Sequence, residues 1–138
     1  MEVYHGTNAT HATEILGPPH SIDVTKGRGE LGQGFYLGTE PLMAAMLAKG
    51  RYNAAASVLK ISVDEPKLML LSSKILKTSG LVRQHWNMLI QQNITASHKF
   101  GVDVVVAPFS TFSFAHQYKF ESKKAEALLN NSLMVQIL

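Results

Sequence analysis

The chain has no cysteine among its 138 residues. Disulfides, thiolate metal sites and a cysteine nucleophile are therefore excluded, and the redox compartment is left undecided. No apolar run approaches the roughly 20 residues of a membrane span. The start, Met1-Glu2-Val3-Tyr4-His5, has neither the basic residues nor the apolar stretch of a secretory signal. No basic run reaches five residues and the net charge is only +3, so composition does not point to a nucleic-acid binder. The small Lys123-Lys124 and Lys49/Arg51 clusters suit either a solvated surface or attraction to phosphates. The six histidines form no HxxxH or HxH pair, which argues against a metal site. A GxSxG elbow, a P-loop and the GxGxxG order are all missing, so serine hydrolysis and the usual nucleotide-binding loops find no support.

An apolar fraction of 46% is that of a globular chain, and the length suits one domain spanning 1–138. Glu2–Tyr4 reads as a strand, followed by a helix over Ala9–Leu16 capped by Thr7 or Asn8, with Ala12, Ile15 and Leu16 inward. Gly17-Pro18-Pro19 stops it. Ser21–Gly34 has few apolar residues and reads as a long, functional loop. Gly34–Thr39 is a strand. Thr39-Glu40-Pro41 starts a helix that carries Leu42, Met43, Met46 and Leu47 to about Gly50. Ala56–Val63 and Lys67–Leu71 read as strands around an Asp64-Glu65-Pro66 turn. Ser79 caps a helix bearing Leu81, Val82, Trp86, Leu89 and Ile90. Val102–Ala107 and Gln117–Phe120 are strands. Ser122 caps a helix over Ala125–Leu129, Asn130-Asn131 turns, and Leu133–Ile137 closes as a strand. Strands outnumber helices without a βαβ rhythm, which makes the fold class α+β.

Two short motifs carry the chemistry. Tyr4-His5-Gly6-Thr7 ends the first strand with an imidazole and a bare glycine, where a ligand can approach main chain closely. A neutral His5 ring can donate to a ribose hydroxyl; the alternative is a structural histidine. Gly32-Gln33-Gly34-Phe35-Tyr36-Leu37 enters a strand through a loop holding five of the ten glycines between Gly27 and Gly38. Tyr36 either stacks on a flat ring or fills the core, with Phe35 on the opposite face. Arg28 either pairs with a pyrophosphate or is an exposed loop residue. In Gln117-Tyr118-Lys119-Phe120-Glu121, alternation puts Gln117, Lys119 and Glu121 on one face. Gln117 can meet a ribose hydroxyl at the strand start, and Glu121 reads as a capping or surface acid.

In this order, the elements resemble the ADP-ribosyltransferase fold, in the branch shared by diphtheria toxin and the poly(ADP-ribose) polymerases. That branch is marked by a histidine, a tyrosine and a third Glu, Asp or Gln; small bacterial toxin- or effector-type members are the most similar. The resemblance covers nearly the whole chain, including the Asp103-Val104-Val105-Val106 strand. It implies a split β-sandwich with a few short helices and NAD, as co-substrate, in the cleft. His5, Tyr36 and Gln117 would be the catalytic trio. His5, Gly6, Thr7, Arg28, Gly34 and Tyr36 would contact NAD: His5 at the 2′-hydroxyl of the adenosine ribose, Gly6 main chain at the carboxamide, Tyr36 on the nicotinamide ring. The implied reaction is transfer of ADP-ribose with release of nicotinamide. Two departures stand out. Gln117, with Glu121 as the alternative, takes the third position; a Gln there argues against chain elongation and weakens the case for mono-transfer, leaving an inactive binding module or an NAD glycohydrolase as alternatives. Ala44, Met46 and Leu47 lie where the polymerases place a second stacking tyrosine, a role Tyr52 could take. The acceptor is open, with protein favoured over nucleic acid, and no membrane or metal is expected. Action in the cytoplasm, or in a target-cell cytosol after delivery, is the expectation.

Overall fold

A computed structural model describes residues 1–17, 20–29, 31–76, 84, 87–88, 91–92, 99–109, 115–132 and 134–138; the side chains of Arg28, Ser132 and Met134 are outside that description. The expected helix over 79–90 falls mostly outside the described residues.

The chain forms a mixed seven-stranded sheet with helices on both faces. In chain order the strands are β1 (Glu2–Asn8), β2 (Arg28–Gly29), β3 (Gly32–Gln33), β4 (Phe35–Gly38), β5 (Ala56–Ser62), β6 (Ser73–Ile75), β7 (Val104–Pro108), β8 (His116–Phe120) and β9 (Met134–Ile137). The helices are α1 (Ala9–Leu16), α2 (Pro41–Tyr52), α3 (Glu65–Leu68) and α4 (Lys123–Ser132), with a short 3-10 turn at Asn53–Ala55. The sheet order is β6-β7-β8-β4-β1-β5-β9, and β2 and β3 pair as a separate hairpin. Among the described residues, β6 and β7 run parallel and the other pairs in the sheet are antiparallel.

Local chemistry explains the ends of the elements. Asn8 caps α1, its Oδ1 accepting from the His11 amide at 2.8 Å. Ser122 caps α4, its Oγ accepting from the Ala125 amide at 3.0 Å. Asp64 accepts from the Lys67 amide and Pro66 sits in the first turn, so Glu65–Leu68 is a helix where a turn and strand were expected. Asn130 is helical rather than turning, and its side chain ties Ile22 at both its N–H and C=O, at 2.9 and 3.0 Å.

One face of the sheet carries the main core: Val3, Phe35, Leu37, Leu59, Ile61 and Phe120, covered by Ala12 and Ile15 of α1 and Ala125 and Leu129 of α4. The opposite face is covered by α2 and the β2–β3 hairpin. Here α2 turns Met43, Ala44 and Ala48 inward, while Leu42, Met46 and Leu47 are exposed. The cause is Gly6: a Cβ there would run into the Ala44 carbonyl, so the helix lies against β1 on its small residues.

The sheet is continuous in order but not in pairing. β1 and β5 align over seven residue pairs, from Glu2↔Ser62 to Asn8↔Ala56. β4 and β8 align over four, and β7 and β8 over five. Between these two halves, β1 and β4 meet at the single pair Tyr4↔Gly38. Beyond that pair the two strands form a fork.

Candidate functional site

The fork contains both sequence motifs. Met1 and Val63 exchange N–H···O bonds in both directions, at 3.0 and 2.8 Å. Alternation along the antiparallel ladder then assigns Val3, His5 and Thr7 as hydrogen-bonded partners of β5, and turns the N–H and C=O of Tyr4 and Gly6 toward β4. Tyr4 meets Gly38 there. Gly6 would next meet Tyr36, but that ladder pair is not formed. Instead the His5 ring reaches across, and its Nδ1 donates to the Tyr36 carbonyl at 2.8 Å. The ring also stacks on Phe35, with centroids 4.3 Å apart and planes 29° from parallel.

That bond fixes the tautomer. With Nδ1–H committed to a carbonyl, Nε2 carries the lone pair and accepts. Burial pushes the imidazole down from its ordinary 6.5 to about 4; the bond to Tyr36 opposes this, and the nearby His11 and Arg51 charges add to it. His5 is therefore neutral across the physiological range. The expectation that it donates to a ribose hydroxyl is reversed: toward a ligand, it can only accept.

Tyr36 projects from the other face of the sheet, in the row of Lys119 and Val105. It is half-buried and packs against the cluster of Leu31, Val105 and Ala107. Its hydroxyl donates to the Gly32 carbonyl at 2.5 Å and accepts from the Leu31 amide at 3.2 Å. Gly29 lies on the ring: a Cβ there would stand 2.6 Å from Cζ. One flat side of Tyr36 is thus covered by the hairpin. The hairpin turn needs Gly32, whose φ is 95°. Gly34 has a packing reason of its own, because a Cβ there would stand 2.7 Å from Cγ of Lys119.

Gln117 shares the Tyr36 face, paired with Gly38 on one side and Ala107 on the other. It is 1% exposed, and its Nε2 donates to the Pro108 carbonyl at 3.3 Å. Glu121 lies on the same face but is neither surface nor cap. It is 3% exposed, accepts from the Phe100 amide at 3.0 and 2.9 Å, and pairs with Lys119 at 3.6 Å. Thr7 is buried beside His5 on the α1 side. The backbone of Arg28 pairs with Gln33, while its side chain lies outside the description. Tyr52 ends α2 and is partly buried.

The fold therefore joins the His5 ring to the Tyr36 carbonyl at the fork, beside Gly6, and puts Gln117 and Tyr36 on one face of the sheet. The His5 side chain comes from the other face, and only the split between β1 and β4 lets it reach across. Lys119 is a site element that sequence reasoning passed over; the signal was a lysine alternating with Gln117 and Glu121 directly opposite the tyrosine's strand. An open surface hollow of about 580 Å³, lined by Leu42, Ala45, Lys49, Val58 and Leu138 among others, lies over β5 and contains none of the motif residues. Among the described residues, no group of three or more side chains could hold a metal ion, and no helix is long and apolar enough to cross a membrane. No protein-family model matches the chain, and no curated protein matches it.

Proposed function

We propose that this chain binds NAD at the β1–β4 fork and acts as a mono-ADP-ribosyltransferase, its split sheet being the β-sandwich of that fold. The observation that carries the reading is the His5 Nδ1–Tyr36 carbonyl bond at 2.8 Å. It brings together two motif residues 31 positions apart, at the point where the ladder leaves Gly6 main chain turned toward β4. The three groups suit one ligand. Gly6 offers a donor and an acceptor side by side, which matches a carboxamide. His5 Nε2 accepts from a ribose hydroxyl. The Tyr36 ring, half-buried beside the glycine hairpin, supplies a flat aromatic group against which a pyridine ring would pack.

NAD would supply a glycosidic bond whose cleavage releases nicotinamide and leaves the ribose carbon open to an acceptor nucleophile, which gives up its proton. The chain's own residues would orient the dinucleotide. Gln117 adds a neutral amide near the ribose rather than a carboxylate, so it gives less electrostatic help to a developing positive sugar. That same residue favours the second reading, a binding module that holds NAD or ADP-ribose without turnover: its side chain is buried and engaged with Pro108.

Titration with NAD, followed by assay of nicotinamide release and of labelled acceptors, tests both. Binding with release and a labelled acceptor supports the transferase. Free ADP-ribose without a labelled acceptor indicates a glycohydrolase, and binding without release indicates the module. His5→Ala and Tyr36→Ala should each weaken NAD binding tenfold or more. Undiminished labelling by both variants would sink the assignment.

A further inference from the structure

The glycine hairpin is held down from below. Lys119 rises from the penultimate position of β8 and is 0% exposed. Its aliphatic stem lies under Gly34, and its Nζ donates to the Leu31 carbonyl at 3.0 Å. The Leu31 amide in turn bonds the Tyr36 hydroxyl at 3.2 Å, and the same hydroxyl donates to Gly32. Lys119 and Tyr36 are cross-strand neighbours in the β4–β8 register, so two adjacent sheet side chains grip the peptide groups of Leu31 and Gly32. The ammonium is itself held in place by Glu121 at 3.6 Å and by the Phe100 ring at 5.1 Å. Burying a lysine is expensive unless its charge is answered, and an apolar residue would fill this position at lower cost. A lysine here gains what a leucine could not: a directional donor aimed at the hairpin.

We infer that Lys119 is the positioning residue of the site, fixing the glycine hairpin through the Leu31 carbonyl and thereby setting the angle of the Tyr36 ring. The inference rests on the reading above for its functional consequence, and on the hairpin geometry alone for its structural one. Without the clamp, Gly29 can lift from the Tyr36 ring, and the ring loses the wall that sets its angle.

The test uses the whole chain. In the wild type, the Lys119 Nζ resonance should show scalar coupling across the hydrogen bond to the Leu31 carbonyl carbon, and the Leu31 and Gly34 amides should exchange slowly. In Lys119→Met, amide exchange at Leu31 should quicken tenfold or more, the Tyr36 ring resonances should shift, and NAD affinity should fall at least tenfold. Lys119→Met/Glu121→Gln removes the carboxylate that the single variant leaves without its cation, and should behave alike. Unchanged hairpin exchange and unchanged Tyr36 resonances in either folded variant overturn the inference. If neither variant folds, absence of the wild-type coupling overturns it and presence supports it. A released hairpin with unchanged NAD affinity overturns the link from Lys119 to the ligand. A released hairpin in a protein whose wild type has no NAD affinity supports the clamp and refutes the proposed function.

Discussion

His5 makes the sharpest test of the fork. His5→Asn keeps a side-chain N–H near the position of Nδ1, so the bond to the Tyr36 carbonyl can survive, but it removes the titrating ring and its stack on Phe35. In the folded wild type the ring titrates at about 4, against about 6.5 when exposed. The folded value is the lower one, so between these two pH values the unfolded chain holds more protons. Stability therefore falls as pH drops from 6.5 toward 4. At about 1.36 kcal/mol per tenfold change in proton affinity, the wild type should lose roughly 2–3 kcal/mol through this group between pH 7.5 and pH 4; the lower figure allows for the ring's partial contact with water. Other groups also make the fold acid-sensitive. Asp23 and Asp103 are held below the usual carboxylate range, chiefly by the Thr25 and Ser122 hydroxyls respectively. They titrate in both proteins and cancel in the difference. Urea unfolding at pH 7.5 and pH 4.0 should thus show the variant less stable at neutral pH, with the deficit shrinking by about 2–3 kcal/mol in acid. Parallel pH dependences, or a His5 resonance that titrates near 6.5, would refute both the burial of the ring and its fixed tautomer.

Lys119 is predicted to show the opposite placement on the pH scale. Burial pushes its ammonium from 10.5 down to about 8, against the pull of Glu121 and with a further push from Lys99. Between those values the unfolded chain again holds more protons, so wild-type stability relative to Lys119→Met should rise from pH 8 to pH 10 in urea unfolding. Gly6→Ala should push a methyl group into the Ala44 carbonyl and lower the urea midpoint by the equivalent of about 1–3 kcal/mol. An unchanged midpoint would mean that α2 does not lie on β1 as described.

Much of the scaffold was legible because its signals are local. The Asn8 and Ser122 caps, the Val104–Ala107 run and the alternation over Gln117–Phe120 each decide their element within a few residues. What was not legible depends on partners distant in sequence. The inward side of α2 follows from Gly6, 38 positions before Ala44, because a bare backbone on β1 selects alanines over the larger Leu42 and Met46. Glu121 read as a capping or surface acid, and Lys119 only as its neighbour on the same face, because alternation reports which residues share a side, not whether that side is covered. The hairpin covers it, and a cover supplied by residues so distant in sequence is not read from alternation. The direction of the His5 bond was equally hidden, since a ring nitrogen donates or accepts according to which carbonyl stands beside it.

The fork itself follows from two demands that conflict at Gly6. A regular ladder would continue from Tyr4↔Gly38 to a pairing of Gly6 with Tyr36. Close packing of α2 on Gly6 holds β1 to the helix on one side of the sheet. On the other, the stack of His5 on Phe35 wedges an imidazole against the strand that the ladder would bring in. The ring then satisfies the Tyr36 carbonyl, so opening the sheet leaves that acceptor paired. A structural histidine could do as much, and the stabilising role needs no ligand. The structural role does not account for the glycine. Gly6 is small for the helix, yet its N–H and C=O are also turned toward β4, beyond the last pair that strand makes. Main chain in that state needs water or a ligand to complete it. A planar group with a donor beside an acceptor bonds both at once, which is the ground on which the proposed reading assigns the carboxamide of NAD to the fork.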